Sequence, residues 1–170
     1  MKVFILDHGS AKEFVPDKPT LAIRIYDSPA ICDKAPPGNS ENCPLQPSKN
    51  WINIFGYLFD DFDLTRYPAE YVKEKLSEWE SKFVIMDRSL AEKIISDFSG
   101  YCDIEQVMIH CTWGWARSPA TILGLQKIFG LNIEWAKGRT QRVIEARKLA
   151  GSKGNSHVYR LLTETKLNSS

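Results

Sequence analysis

Residues 107–121 read VMIHCTWGWARSPAT, and this stretch decides the fold. Three consecutive apolar residues before His110 are what a strand buried on both faces requires, so Gln106 to His110 reads as a β-strand. The stretch leaves through Arg117, Ser118 and Pro119. Proline is at home in a first helical turn, where its missing N–H costs nothing, so a helix opens at Ser118 and Gly130 ends it. Strand, short loop and helix in that order indicate an α/β protein. The expected architecture is a central, mostly parallel sheet of four to five strands flanked by helices.

The rest of the chain supplies the other layers. Val3 to Leu6 and the stretch Leu21 to Asp27 read as two further strands, and Trp51 to Phe59 as another. Between them, residues 28–50 are rich in Pro, Ser and Asn without any period. A patternless run of that length is expected to be a flexible or functional loop. In Pro68 to Phe83, Val72, Leu76, Trp79 and Phe83 recur at helical spacing, which predicts a surface helix with one apolar stripe. Ser89 and Glu92 fit a capping box that opens a helix through Phe98, stopped by Gly100. Asn132 is placed to cap a helix over Ile133 to Ala150, weakest at Gly138, and a last helix covers His157 to Leu167. No repeat and no second domain is visible, so residues 1–170 are expected to form one domain.

Composition removes several functional classes. The 170 residues carry 22 basic and 21 acidic side chains. That balance argues against a nucleic-acid partner or a polybasic membrane role. No apolar run approaches the length of a membrane span. The first apolar run, Val3 to Leu6, is too short for a signal-peptide core. Four cysteines at this length do not make a disulfide scaffold, so a reducing, cytoplasmic setting is expected, with export by a signal-less route left open. Cys32 and Cys43 have no histidine or second cysteine pair nearby, which argues against a metal.

The loop between strand and helix has a chemistry of its own. A strand that delivers Cys111 into a turn ending at a helix N-terminus builds an anion cradle from backbone N–H groups and the helix dipole. Electropositive surroundings of that kind favour an ionised, nucleophilic sulfur. Arg117 carries a planar fork suited to two parallel hydrogen bonds with phosphate oxygens. Gly114 lets the backbone bend sharply between them. A nucleophile and a phosphate clamp in one loop meet the needs of phosphoryl transfer through a cysteinyl-phosphate.

His110-Cys111, then Gly114, then Arg117-Ser118 resemble the signature of the cysteine-dependent protein tyrosine and dual-specificity phosphatases: His-Cys, five residues, Arg, then Ser or Thr. Five fixed positions at about one in twenty each recur by chance at roughly three starting points in ten million, so the match is specific. The segments KVFILDHGSAKEF, LAIRIYD, FDD and GNSHVYRLLTE look like a small bacterial branch of that family. The resemblance implies a phosphate-binding loop over residues 111–117 and no metal or cofactor. It implies that Cys111 attacks phosphorus, that Arg117 grips two oxygens, and that Ser118 stabilises the departing sulfur. His110 would order the loop from beneath. Thr112, Trp113, Gly114, Trp115, Ala116 and Arg117 would contact the phosphorylated peptide or protein substrate. The family's aspartic acid falls on the cluster Asp60, Asp61 and Asp63; Asp61 is assigned as general acid, with Asp63 the alternative.

Two features depart from the family pattern. Trp113 stands where the family usually has alanine, and Trp115 follows the glycine. These indoles either wall the pocket and stack on an aromatic substrate or pack against the 28–50 loop. The loop also lacks the lysines of phosphoinositide-cleaving relatives. Plainer readings stand beside the sharp ones. A lone cysteine at a strand end is most often core, an acidic triplet after a strand is usually a solvated turn, and Cys102 is either structural or a resolving thiol. His8 and His157 carry no motif. Two other functions compete: a phosphate-binding module without turnover, and a sulfurtransferase of the rhodanese type.

Overall fold

Five strands form one sheet in a computed structural model that describes residues 1–29 and 44–167. They are β1 (Lys2–Leu6), β2 (Thr20–Tyr26), β3 (Trp51–Leu58), β4 (Gln106–His110) and β5 (Glu134–Trp135). Their order is β3-β2-β4-β1-β5 and every pairing is parallel. The α/β class is therefore as expected, and the sheet is wholly parallel. Among the described residues it is flanked by the helices α1 (His8–Glu13), α2 (Ala69–Glu80), α3 (Arg88–Ser99), α4 (Arg117–Phe129), α5 (Arg139–Leu149) and α6 (Ser156–Leu167). A 3-10 turn, Leu64–Arg66, follows β3.

Burial explains the strand sequences. β4 lies between β2 and β1, and all five of its residues are buried. The larger core holds Ile5, Leu21, Ile23, Val107 and Ile109 from one sheet face, together with Ile94, Phe98, Ile122, Leu125 and Leu162 from the helices. Each such side chain contributes about 1.5–3 kcal/mol when fully buried. The opposite face is smaller: Ala22 and Met108 pack with Ala11, Phe14 and Trp51. Because every strand runs the same way, the segments after β1, β2, β3 and β4 all emerge at one edge. That edge is where parallel α/β sheets put their ligand sites.

Three expectations change. Ile133 to Lys137 is not helical: Glu134–Trp135 adds to the edge of β1, in register with Lys2 and Val3, and α5 starts only after Gly138, whose φ is +80°. The capping box at Ser89 is not used. Asp87 caps α3 instead, accepting from the Leu90 amide at 2.8 Å, so Ser89 already lies in the first turn. α1 was not anticipated; Asp7 caps it by accepting from Ser10 N–H at 2.8 Å.

The surface helix is present and its stripe Val72, Leu76 and Trp79 is half-buried, although α2 has no fully buried residue. Ring contacts hold it: Phe62 lies 5.0 Å from Trp79 and 5.3 Å from Phe83, centre to centre. Of the 28–50 stretch, residues 30–43, with Cys32 and Cys43, lie outside the described residues. Its described ends are tied down, with Leu45 in the smaller core and the Trp51 indole N–H donating to Gln46 O at 2.9 Å. Among the described residues no helix is long and apolar enough to cross a membrane.

Candidate functional site

Cys111 follows β4 directly and is 2% exposed, packed within the larger core. The loop it opens turns at Gly114, whose φ is +67° and where a Cβ would sit 2.6 Å from Leu6 O. Only glycine fits there.

The loop's carbonyls are held from outside. Thr112 O accepts from His8 N–H at 3.2 Å, and Trp113 O from Arg139 Nη2 at 2.5 Å. Trp115 O accepts from Arg147 Nη2, and Ala116 O from Asn155 N–H at 3.2 Å. In a trans peptide the carbonyl of one residue and the N–H of the next point in opposite directions, and no cis peptide occurs among the described residues. The N–H groups of Trp113, Gly114, Ala116 and Arg117 therefore point away from the four donors. Arg139 is itself fixed by Asp7 at 3.0 Å. Burial pushes the Asp7 carboxyl up, but the Ser10 amide and the Arg139 charge outweigh it and hold the group below its usual value.

Arg117, the first residue of α4, is 3% exposed. Its Nη1 donates to Phe59 O at 2.6 Å and to Tyr26 O at 3.2 Å. Its Nη2 donates to Asp27 Oδ1 at 2.5 Å and to Thr112 Oγ1 at 2.9 Å. The Thr112 hydroxyl in turn donates to Asp27 Oδ2. Arg117 Nε is buried without a hydrogen-bond partner among the described residues, as is Ser118 Oγ.

His110, the last residue of β4, is fully buried. Arg24 Nε donates to its Nε2 at 3.2 Å, which leaves the ring proton on Nδ1. Burial first, then the positive charges of Arg24, His8 and Arg117, push its pKa down to about 3, against a small opposing pull from the Cys111 backbone. The imidazole is a neutral structural group.

The three aspartates after β3 separate cleanly. Asp60 is buried and accepts from Ser28 N–H and Val84 N–H, each at 2.8 Å. Asp63 is 8% exposed and caps two elements, accepting from Thr65, Ser156 and His157 amides at 3.1 Å each. Burial pushes its carboxyl up, but the Thr65 hydroxyl and these amides outweigh that and hold it below its usual value. Asp61 alone is exposed, with its Oδ1 accepting from Asn155 Nδ2 at 2.9 Å.

A cavity of about 180 Å³ joins these parts, lined by Asp27, Asp60, Asp61, Phe62, Phe83, Thr112, Trp113 and Arg117. It brings Asp61, Thr112, Trp113 and Arg117 together. Cys111, Gly114, Trp115, Ala116 and Ser118 are not in its lining, and Asp63 is turned into the start of α6. Trp113, 66% exposed, stands at the rim.

The sequence pointed to the cysteine loop but not to its supports. Asp27, Arg139, Arg147 and Asn155 were not singled out for a role. Asp27 follows a parallel strand just as Cys111 does, and that shared position is the signal that could have found it. His157 is structural: its Nε2 lies 2.9 Å from Met86 O. Cys102 is not placed to resolve Cys111. It precedes β4 while Cys111 follows it, so five strand residues, roughly 16 Å, separate the two. No metal-binding group of His, Cys, Asp and Glu occurs among the described residues.

No family model, curated protein or solved structure matches the chain.

Proposed function

We propose that the chain is a cysteine-dependent phosphatase that hydrolyses phosphate monoesters of proteins or peptides, phosphotyrosine foremost. The observation that carries this reading is the set of four outward-held carbonyls at Thr112, Trp113, Trp115 and Ala116, which turns the matching N–H groups toward the other side of the loop. Amide hydrogens presented this way, with an arginine at the helix start, favour a tetrahedral oxyanion.

In the proposed reaction the Cys111 sulfur attacks phosphorus in line, forming the S–P bond as the P–O ester bond breaks. The departing oxygen takes a proton from Asp61, the one aspartate of its cluster that is exposed at the cavity. Water then attacks the phosphocysteine, Asp61 takes the proton back, and the S–P bond breaks to return the sulfur and inorganic phosphate. Arg117 binds the equatorial oxygens after exchanging its contacts with Asp27 and Thr112. Ser118 Oγ, buried and without an acceptor, is available to the departing sulfur. The aromatic wall of Phe62, Phe83 and Trp113 suits an aryl ester. A free-thiol chemistry of this kind suits a reducing compartment such as the cytoplasm.

A phosphate-binding module without turnover is the second reading, favoured by the burial of Cys111 away from the cavity lining. One experiment separates them. Purified protein should hydrolyse 4-nitrophenyl phosphate in EDTA and be inhibited by vanadate, and Cys111→Ser should lose turnover while still binding vanadate. Binding without turnover in the wild type supports the module, and undiminished activity of Cys111→Ser would falsify the covalent route. Thiosulfate-to-cyanide transfer would instead support sulfur chemistry.

A further inference from the structure

We infer that Asn155 is the positioning residue of the general acid, and that it ties the acid to the nucleophile loop through a single side chain and its own amide. The inference rests on the phosphatase reading above.

Asn155 is 1% exposed, and beyond the helical bond its carbonyl accepts from Tyr159 N–H it makes three contacts with separate consequences. Its backbone N–H donates to Ala116 O at 3.2 Å, the carbonyl just before Arg117. Its Nδ2 donates to Asp61 Oδ1 at 2.9 Å. Its Oδ1 accepts from Val158 N–H at 3.1 Å, capping α6. The cap fixes the amide plane: with Oδ1 committed to the helix, Nδ2 must face the other way, toward Asp61. Gly154 lets this segment come so close. Its φ is +97°, and a Cβ there would lie 2.4 Å from Ala116 O.

Asp61 itself is exposed, on a segment without regular structure, and its neighbours Asp60 and Asp63 are tied to other elements. A carboxylate in that setting samples several rotamers unless something holds it. Asn155 holds one oxygen and leaves Oδ2 as the atom that can carry the transferable proton. Because the same residue grips Ala116, the spacing between acid and oxyanion cradle is set locally. Misplacement by about 1 Å can cost a catalytic group much of its effect.

Asn155→Ser tests this directly. Serine retains an N-cap oxygen for α6 but is too short to reach Asp61. Phenyl phosphate and 4-nitrophenyl phosphate carry the same phosphoryl group and differ in how much their leaving oxygen needs a proton. The expected result is a fall of about tenfold in kcat on phenyl phosphate and less than about twofold on 4-nitrophenyl phosphate, with the melting transition unchanged. In an Asp61→Ala background, Asn155→Ser should produce no further loss. Equal falls on both esters, no fall on either, or a full loss persisting without Asp61 would each overturn the inference while leaving the phosphatase reading intact. A wild-type chain with no Cys111-dependent turnover of either ester would overturn both.

Discussion

Arg117 Nη2 lies 2.5 Å from Asp27 Oδ1, and both side chains are buried. The arginine assigned to grip phosphate thus already holds a carboxylate, with Thr112 bonded to both. A carboxylate and a phosphate present similar oxygens to the same fork, so under the proposed function a phosphate ester would have to compete with Asp27 for the guanidinium.

Replacing Asp27 by asparagine removes that competitor and leaves a buried cation without its counter-ion, a change that typically destabilises by about 3–5 kcal/mol. An oxyanion bound at Arg117 would restore the missing charge. Asp27→Asn should therefore melt earlier than the wild type without anions and gain more from vanadate, because a tighter ligand stabilises the folded state more. Thermal unfolding with and without vanadate checks this; a larger vanadate shift in the wild type would refute it.

The acidic triplet should divide by function. Asp60→Ala leaves the amides of Ser28 and Val84 unpaired, which costs about 2–6 kcal/mol in denaturant unfolding at about 1–3 kcal/mol per group. Asp61→Ala strips one buried group, the Asn155 Nδ2, of its acceptor and should cost less, about 1–3 kcal/mol. It should slow alkyl phosphates by about 10²-fold or more, and aryl phosphates with good leaving groups far less. Steady-state rates on both ester types decide between Asp61 and its neighbours.

Stability should fall on the acid side in two steps. His110 ionises at about 3 in the folded chain against an ordinary 6.5, so the unfolded chain binds more protons between those values. Its contribution is complete above about 6.5 and is lost as pH falls toward 3. Asp63 is held below its ordinary 3.8, so its contribution is present above that value and lost below it. Urea unfolding from pH 7 to 3 should show the decline, and His110→Gln should make it shallower above pH 4, the remainder coming from His157, whose pKa burial also lowers. An equally steep profile in that variant would count against the burial argument.

Two glycines with positive φ allow a controlled comparison. Gly151 (φ +60°) has open space where a Cβ would be, whereas at Gly154 (φ +97°) the Cβ would meet Ala116 O at 2.4 Å. Gly151→Ala should cost about 1 kcal/mol through its backbone alone. Gly154→Ala should cost more and also lower oxyanion affinity, because Ala116 must shift. Unfolding and vanadate titration of the two variants measure both effects.

What the sequence made legible was local. β4 announced itself by a run of apolar residues with no alternation, and the cysteine loop by residues spaced within nine positions, His110 to Ser118. β5 did not: two residues carry no period, and Glu134–Trp135 are extended because the β1 edge accepts them. The cap at Asp87 was hidden by a better-looking pattern two residues later. Asp27 and Asn155 were invisible as site residues because their partners are distant, 90 positions away for Arg117 and 94 for Asp61.

That distance has a consequence for biosynthesis. The donors that shape the cysteine loop include Arg139, Arg147 and Asn155, all translated after the strand and helix that frame it. A nascent chain that has emerged only through α4 already carries Cys111 but lacks these three braces. The cysteine loop thus reaches its braced shape only once residues 139–155 have followed it out of the ribosome.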